Sequence, residues 1–358
     1  MVSIAPSSTT SAASADAPHS RARARWVHGP VLDVAMALCW VPFAIAGFVL
    51  QNNTDKLSWF VSATLLLSFS HQPLTLALVY GDATNFRLRK RIFTWSPLVF
   101  AVAVLAARNI SLATLAVVGG LWNAEHTLMQ RYGIARIYGR KAGQDEGGGE
   151  KLLLFSWLAV AMVWAAADTR TPGRVDRTGM GGNNRQGLDI LTDLRPVARW
   201  VLPVIGLAAL ALTIRWLRDE WRRGAKANPA KRFYFAATAA LFVTILVNPI
   251  AGFLGYVGAH AVEYFIIVHQ SIGPRYASAD IDGGAPVGRA VRRLTRLGFF
   301  AVYLSIIVGL VTLLAKYGTV TWYLLVVFTL GGMHVFYDGF IWKLRRPTVA
   351  RSLGVPAT

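Results

Sequence analysis

Seven histidines occur in the chain, and five of them, His71, His126, His260, His269 and His334, fall inside long apolar segments. An ionisable side chain is costly in hydrocarbon, so one that is kept there normally faces a bundle interior, a hydrated cavity or a bound ion. Imidazole offers two chemistries in such a place: it ligates iron, copper, zinc or manganese, and it carries protons near neutral pH. Two acids accompany these histidines. Glu263 follows His260 by three residues in HAVEY, and Asp338 follows His334 by four in MHVFYD, so each pair shares a helix face. A carboxylate so placed either ligates the metal itself or holds the imidazole's second nitrogen and fixes the binding tautomer. Glu263 and Asp338 are therefore the candidate catalytic groups, and the five histidines are the candidate metal ligands. Glu125, directly before His126, points about 100° away from it on a helix, whereas Gln130 shares the face of His126.

These residues need a scaffold made for hydrocarbon. The chain has 358 residues, of which 54% are hydrophobic and only 15% charged, and its mean hydropathy is +0.43. That balance excludes an ordinary soluble domain and predicts an all-α, polytopic transmembrane bundle. A transmembrane barrel is excluded because the apolar runs are long and continuous, with no period-two alternation. Apolar runs predict helices over 31–50, 58–80, 93–108, 110–130, 152–168, 200–217, 233–249, 251–272, 297–315 and 321–342, about ten spans, or eight where short neighbours merge. Asn248-Pro249 marks either a tight turn between two helices or a kink in one. The run at 31–50 is long enough to span, which favours a retained helix over a cleaved signal peptide.

The net charge of +19 is not a nucleic-acid footprint, because the basic residues sit immediately beside apolar segments. With the N-terminus inside, 28 of the 37 lysines and arginines fall on the cytoplasmic side, which predicts cytoplasmic termini and a multi-pass protein of a cytoplasmic (inner) membrane. Arg131 and Lys231 belong to that inner set, and Tyr132, Tyr138, Trp216, Trp221, Tyr276 and Trp342 read as interfacial anchors. The expected organisation is a disordered basic tail over 1–25, a single transmembrane domain over 26–346 and a short tail over 347–358. The outer loop 169–199 reads as a connector, with a short interfacial helix over Leu188–Leu194 as the alternative. The single cysteine, Cys39, excludes an intramolecular disulfide and a Cys-based metal motif.

On this topology the helices bearing histidine all descend toward the cytoplasm. By depth His269 matches His126 and Asp338 near the inner boundary, and His260 with Glu263 matches His71 and His334 deeper in. The two groupings leave open one site or two layers. Small residues, including Gly119, Gly252, Gly258 and Gly332, lie on the same helices and predict close packing.

The style of site, histidines contributed by several membrane helices, resembles that of membrane enzymes that hold non-heme iron, such as membrane desaturases and hydroxylases and bacterial carotene-cleaving oxygenases. The chain has no HxxxH or HxxHH, which the desaturase group requires, so no residue role is carried over. The leading expectation is an oxidoreductase of oxygenase, hydroxylase or desaturase type, with iron as its metal, an electron donor as partner, and a lipid or other hydrophobic substrate. A heme held by two histidines is a variant within this class. A proton-coupled transporter using the same residues as a relay, and a noncatalytic assembly subunit, are the alternatives.

Overall fold

The computed structural model describes residues 26–144, 147–179, 185–277 and 284–355. The expected tail over 1–25, the centre of the glycine-rich segment 144–150, most of the GMGGNN stretch and the last residues, 356–358, lie outside them. The described residues are all helix and connecting turn. The helices are α1 (Pro30–Leu38), α2 (Trp40–Leu50), α3 (Thr54–Tyr80), α4 (Ala83–Arg87), α5 (Lys90–Ile110), α6 (Leu112–Lys141), α7 (Gly148–Ala167) and α8 (Thr171–Asp176). They continue as α9 (Arg185–Arg222), α10 (Pro229–Val247), α11 (Pro249–Arg275), α12 (Pro286–Tyr317), α13 (Val320–Ile341) and α14 (Pro347–Ser352). Among the described residues seven stretches are long and apolar enough to cross a membrane, and Leu325–Ile341 is a shorter apolar helix. Large apolar side chains such as Leu98, Val102, Trp200, Leu207, Leu297 and Val308 are exposed on α5, α9 and α12. A soluble monomer does not present so much apolar surface; lipid tails accommodate it.

Every predicted apolar run is helical; the first is divided at Cys39 into α1 and α2, and the other differences lie at the ends and have local causes. Asn248 resolves as a tight turn: its side chain accepts from the backbone N–H groups of Ile250 and Ala251, and Pro249 opens α11 at a position where no N–H is needed. The connector expected over 169–199 carries α8, and from Arg185 onward it is the first part of α9, which runs on through Pro196 and Pro203. Helix α12 begins eleven residues before the apolar run at 297, and Thr295, at φ 63°, breaks its basic first part from its apolar remainder. That left-handed conformation is uncommon for a β-branched residue and marks a sharp kink.

Helix α11 is the most buried of the seven apolar stretches and packs against α2, α3 and α10. Glycine makes this closeness possible. A Cβ at Gly252 would lie 2.5 Å from the Ile245 Cα, and one at Gly258 would lie 2.6 Å from the Phe43 ring. Helix α13 in turn packs against α3 and α5, and α9 lies along α7.

Four residues assigned to the membrane boundary give way to packing. Arg131 and Lys231 are fully buried, and so are Tyr138 and Tyr276. Lys231 pairs with Glu150 at 2.6 Å and with Glu220 at 2.5 Å, and the Tyr276 hydroxyl donates to Asp82 at 2.9 Å. An arginine or lysine next to an apolar run reads as a boundary, but a carboxylate on another helix draws it inside. At the amino-terminal end, the backbone N–H groups of Val27 and His28 donate to the Asp33 carboxylate. Burial, and then the charge of Lys141, hold the His28 imidazole down to about 4, so it is neutral at physiological pH.

Candidate metal centre

Four of the five apolar-segment histidines meet in the interior. His71 on α3, His126 on α6, His260 on α11 and His334 on α13 are all buried, three of them completely. The His334 Nε2 atom lies 3.1 Å from His71 Nε2 and 3.0 Å from His126 Nε2. The His260 ring sits 4.6 Å from that of His71 and 5.1 Å from that of His126, centroid to centroid. Ligand atoms of His71, His260 and His334 lie within 4.8 Å of one another, and so do those of His126, His334 and Asp338. Either group has the geometry to hold a metal ion. At a metal–nitrogen length of ~2.0–2.1 Å, ligands at right angles stand ~3 Å apart and tetrahedral ones ~3.4 Å, the range in which the His334 contacts fall. The same spacing leaves no room for a heme macrocycle between these rings.

The layer beneath the imidazoles sets the tautomer of His334. Thr75 Oγ1 donates to Asp338 Oδ1 at 2.8 Å and stands 2.7 Å from His334 Nδ1. Its only proton being committed, Thr75 accepts from His334, which therefore carries its hydrogen on Nδ1 and presents the Nε2 lone pair to the other rings. Tyr264 closes this layer: its hydroxyl donates to Asp338 Oδ1 at 3.1 Å, receives the Trp342 indole N–H at 3.4 Å and touches Thr75. A carboxylate that orients a ligating imidazole is a usual support of metal sites; here a threonine hydroxyl relays it.

One spacing underlies the whole arrangement. Thr75, Gln130, Tyr264 and Asp338 each follow a clustered histidine by four residues. One helical turn, ~5.4 Å, therefore separates an imidazole layer from a polar layer. The layers coincide only because α3, α6, α11 and α13 run in the same direction through the bundle; antiparallel neighbours would place their i+4 residues on opposite sides. Thr75 and Tyr264 are the functional candidates that reading for histidines and acids missed, and the i+4 spacing was the available signal.

Glu263 is directed elsewhere. Its carboxylate lies 3.2 Å from the Arg131 guanidinium, both groups being fully buried, and it accepts from Tyr234 at 3.1 Å and from Gln130 at 3.2 Å. Gln130 Nε2 also donates to the His260 carbonyl, so this ion pair braces the backbone beneath His260. His269 belongs to neither group. It lies a rise of ~13 Å along α11 from His260, with its ring 5.7 Å from that of Phe300.

His260 makes the strongest demand for a bound species. It is fully buried, and neither ring nitrogen has a hydrogen-bond partner. An unsatisfied buried polar group of this kind costs about 1–3 kcal/mol. Its neighbours offer lone pairs and ring edges, and a cation among the rings would answer them all. Comparison with protein-family models, with curated proteins and with solved structures finds no match to this chain.

Proposed function

We propose that the chain is a multi-pass metalloprotein of a cytoplasmic membrane, in which one transition-metal ion is held by His71, His260 and His334 and faces His126 at its accessible side. The observation that carries this reading is the unpartnered, fully buried His260 beside two rings already at ligand spacing. A single ion is favoured because both groups share His334, whose Nε2 has one lone pair to give. Three protein imidazoles with a further position open is the arrangement of catalytic sites, while closed structural sites use all four. We take the reaction to be an oxidation of a hydrophobic substrate, with iron as the first choice of metal and an external electron donor. In that role Asp338, through Thr75 and Tyr264, positions His334 and manages protons at the site's edge. Full burial of His71, His260 and His334 keeps water from their side of the layer, which suits oxidation of a C–H bond.

Two experiments test this reading. Metal-loaded protein in liposomes of bacterial lipid, supplied with a reductant, should consume dioxygen, and the His334→Ala protein should not. Proton movement across the same liposomes without dioxygen consumption would transfer the histidines and Asp338 to the transport alternative. For the placement in the membrane, we propose ten spans with both termini cytoplasmic. Reporter fusions after Gly148 and after Gly182 should then report opposite sides, cytoplasmic for the first, and agreement between them would contradict that placement.

A further inference from the structure

A cavity of about 880 Å³ runs between α6 and α13, at the upper end of the size range for ligand pockets. Along α6 its lining extends from Trp122 to Arg140, a rise of ~27 Å. The walls are apolar, with Met129, Ile137, Phe336 and Phe340 among them. The ends differ in charge. Glu125 and Asp338, the acids that line the cavity, lie at the end bounded by His126 and Tyr264, whereas Arg136, Arg140, Lys343 and Arg345 line the opposite end.

The basic end has charge to spare. Arg136 is committed to Glu150 at 3.3 Å and to the Gln144 carbonyl at 2.6 Å, and Arg140 gives one N–H to the Leu344 carbonyl at 2.9 Å. Among the described residues, no carboxylate pairs with Arg140, Lys343 or Arg345. The Lys343 ammonium rests 5.3 Å from the centre of the Phe340 ring, at the meeting of apolar wall and charged mouth. Two glycines, Gly133 and Gly339, line the cavity beside open space: a Cβ at either would meet nothing within 4 Å.

We propose that this cavity binds a single-chain amphiphile with an anionic head, a fatty carboxylate or a lipid monophosphate. The head engages Arg140, Lys343 and Arg345, and the chain runs along α6 toward His126 and Asp338. As the substrate of the metal centre it rests on the function proposed above; as a bound ligand it does not. The long apolar wall selects a chain, the basic mouth selects a negative head, and the acids at the far end repel that head and so fix the direction of entry.

The test is binding to purified, chelator-treated protein in neutral detergent, with palmitate, hexadecyl phosphate and hexadecanol as probes. At least one anionic probe should bind about tenfold or more tightly than hexadecanol, the gain expected of charge-assisted hydrogen bonds. Preference for palmitate identifies a carboxylate ligand, and preference for hexadecyl phosphate a phosphate one. The Lys343→Gln/Arg345→Gln protein should lose that preference, keep hexadecanol binding and keep wild-type metal content before chelation. Gly133→Leu, a change that favours the helix, should narrow the cavity midway along α6 and weaken the binding of every probe. Equal binding of all probes to the wild type, or an undiminished preference in the double variant, would overturn the proposal. Because the protein is assayed without metal, a failed metal centre leaves this result intact.

Discussion

His334→Ala protein, purified in folded form, is expected to retain less than about a tenth of the wild-type metal, because the change removes the one imidazole common to both ligand groups. The helix itself should persist, since alanine is the best helix former and most of α13 is apolar. The same loss is expected for His260→Ala, where the truncated side chain carries no hydrogen bond in the wild type that could account for it. The supporting layer should give smaller effects: Asp338→Asn and Thr75→Val each weaken metal affinity by about 10- to 100-fold, as removal of an orienting partner does. His126→Ala should fall in that milder range and leave a measurable ion. Metal analysis after gel filtration separates these outcomes, and a graded series, with His260 and His334 severe and Thr75 and Asp338 mild, is the expected pattern. Full occupancy in folded His334→Ala protein would make this histidine a structural residue.

The second large effect concerns the Arg131–Glu263 pair. Removing either partner leaves an uncompensated charge fully inside the bundle, and Arg131→Met or Glu263→Leu alone should destabilise the protein by about 3–5 kcal/mol. Replacing both together removes the two desolvated charges at once, so the Arg131→Met/Glu263→Leu protein should recover most of that loss. Thermal unfolding in detergent checks the direction. The double variant also decides the role of Glu263. Retained metal with recovered stability makes the pair a brace beneath His260, whereas metal loss in a well-folded double variant would return Glu263 to the chemistry.

How much of this was legible in the sequence follows from the physics of each feature. The helices were readable because apolar runs of spanning length have one stable outcome in hydrocarbon. The convergence of His71, His260 and His334 was readable for a related reason: a buried imidazole needs a partner, and helices of one direction bring equal depths together. Depth counted along the chain failed to separate His126 from His269, since it ignores how far neighbouring helices slide past each other. His126 joins the deeper histidines, and His269 faces Phe300 instead. Glu263 was harder still. An i+3 residue stands ~60° around the helix from its partner, enough to turn the carboxylate from the imidazoles toward Arg131. Arg131 itself lies beside an apolar run, where a buried ion pair and a membrane boundary have the same local sequence. The carboxylate that distinguishes them lies on another helix, far along the chain.

The central claim is that His71, His260 and His334 hold one metal ion, with His126 at its accessible side. Its most direct test is elemental analysis of wild-type protein, purified without chelator and then reconstituted with iron, with copper, zinc and manganese in parallel. The account predicts close to one equivalent of a transition metal per chain, carried through gel filtration and lost in His260→Ala. No bound metal under any of these conditions, in protein shown to be folded, would contradict it.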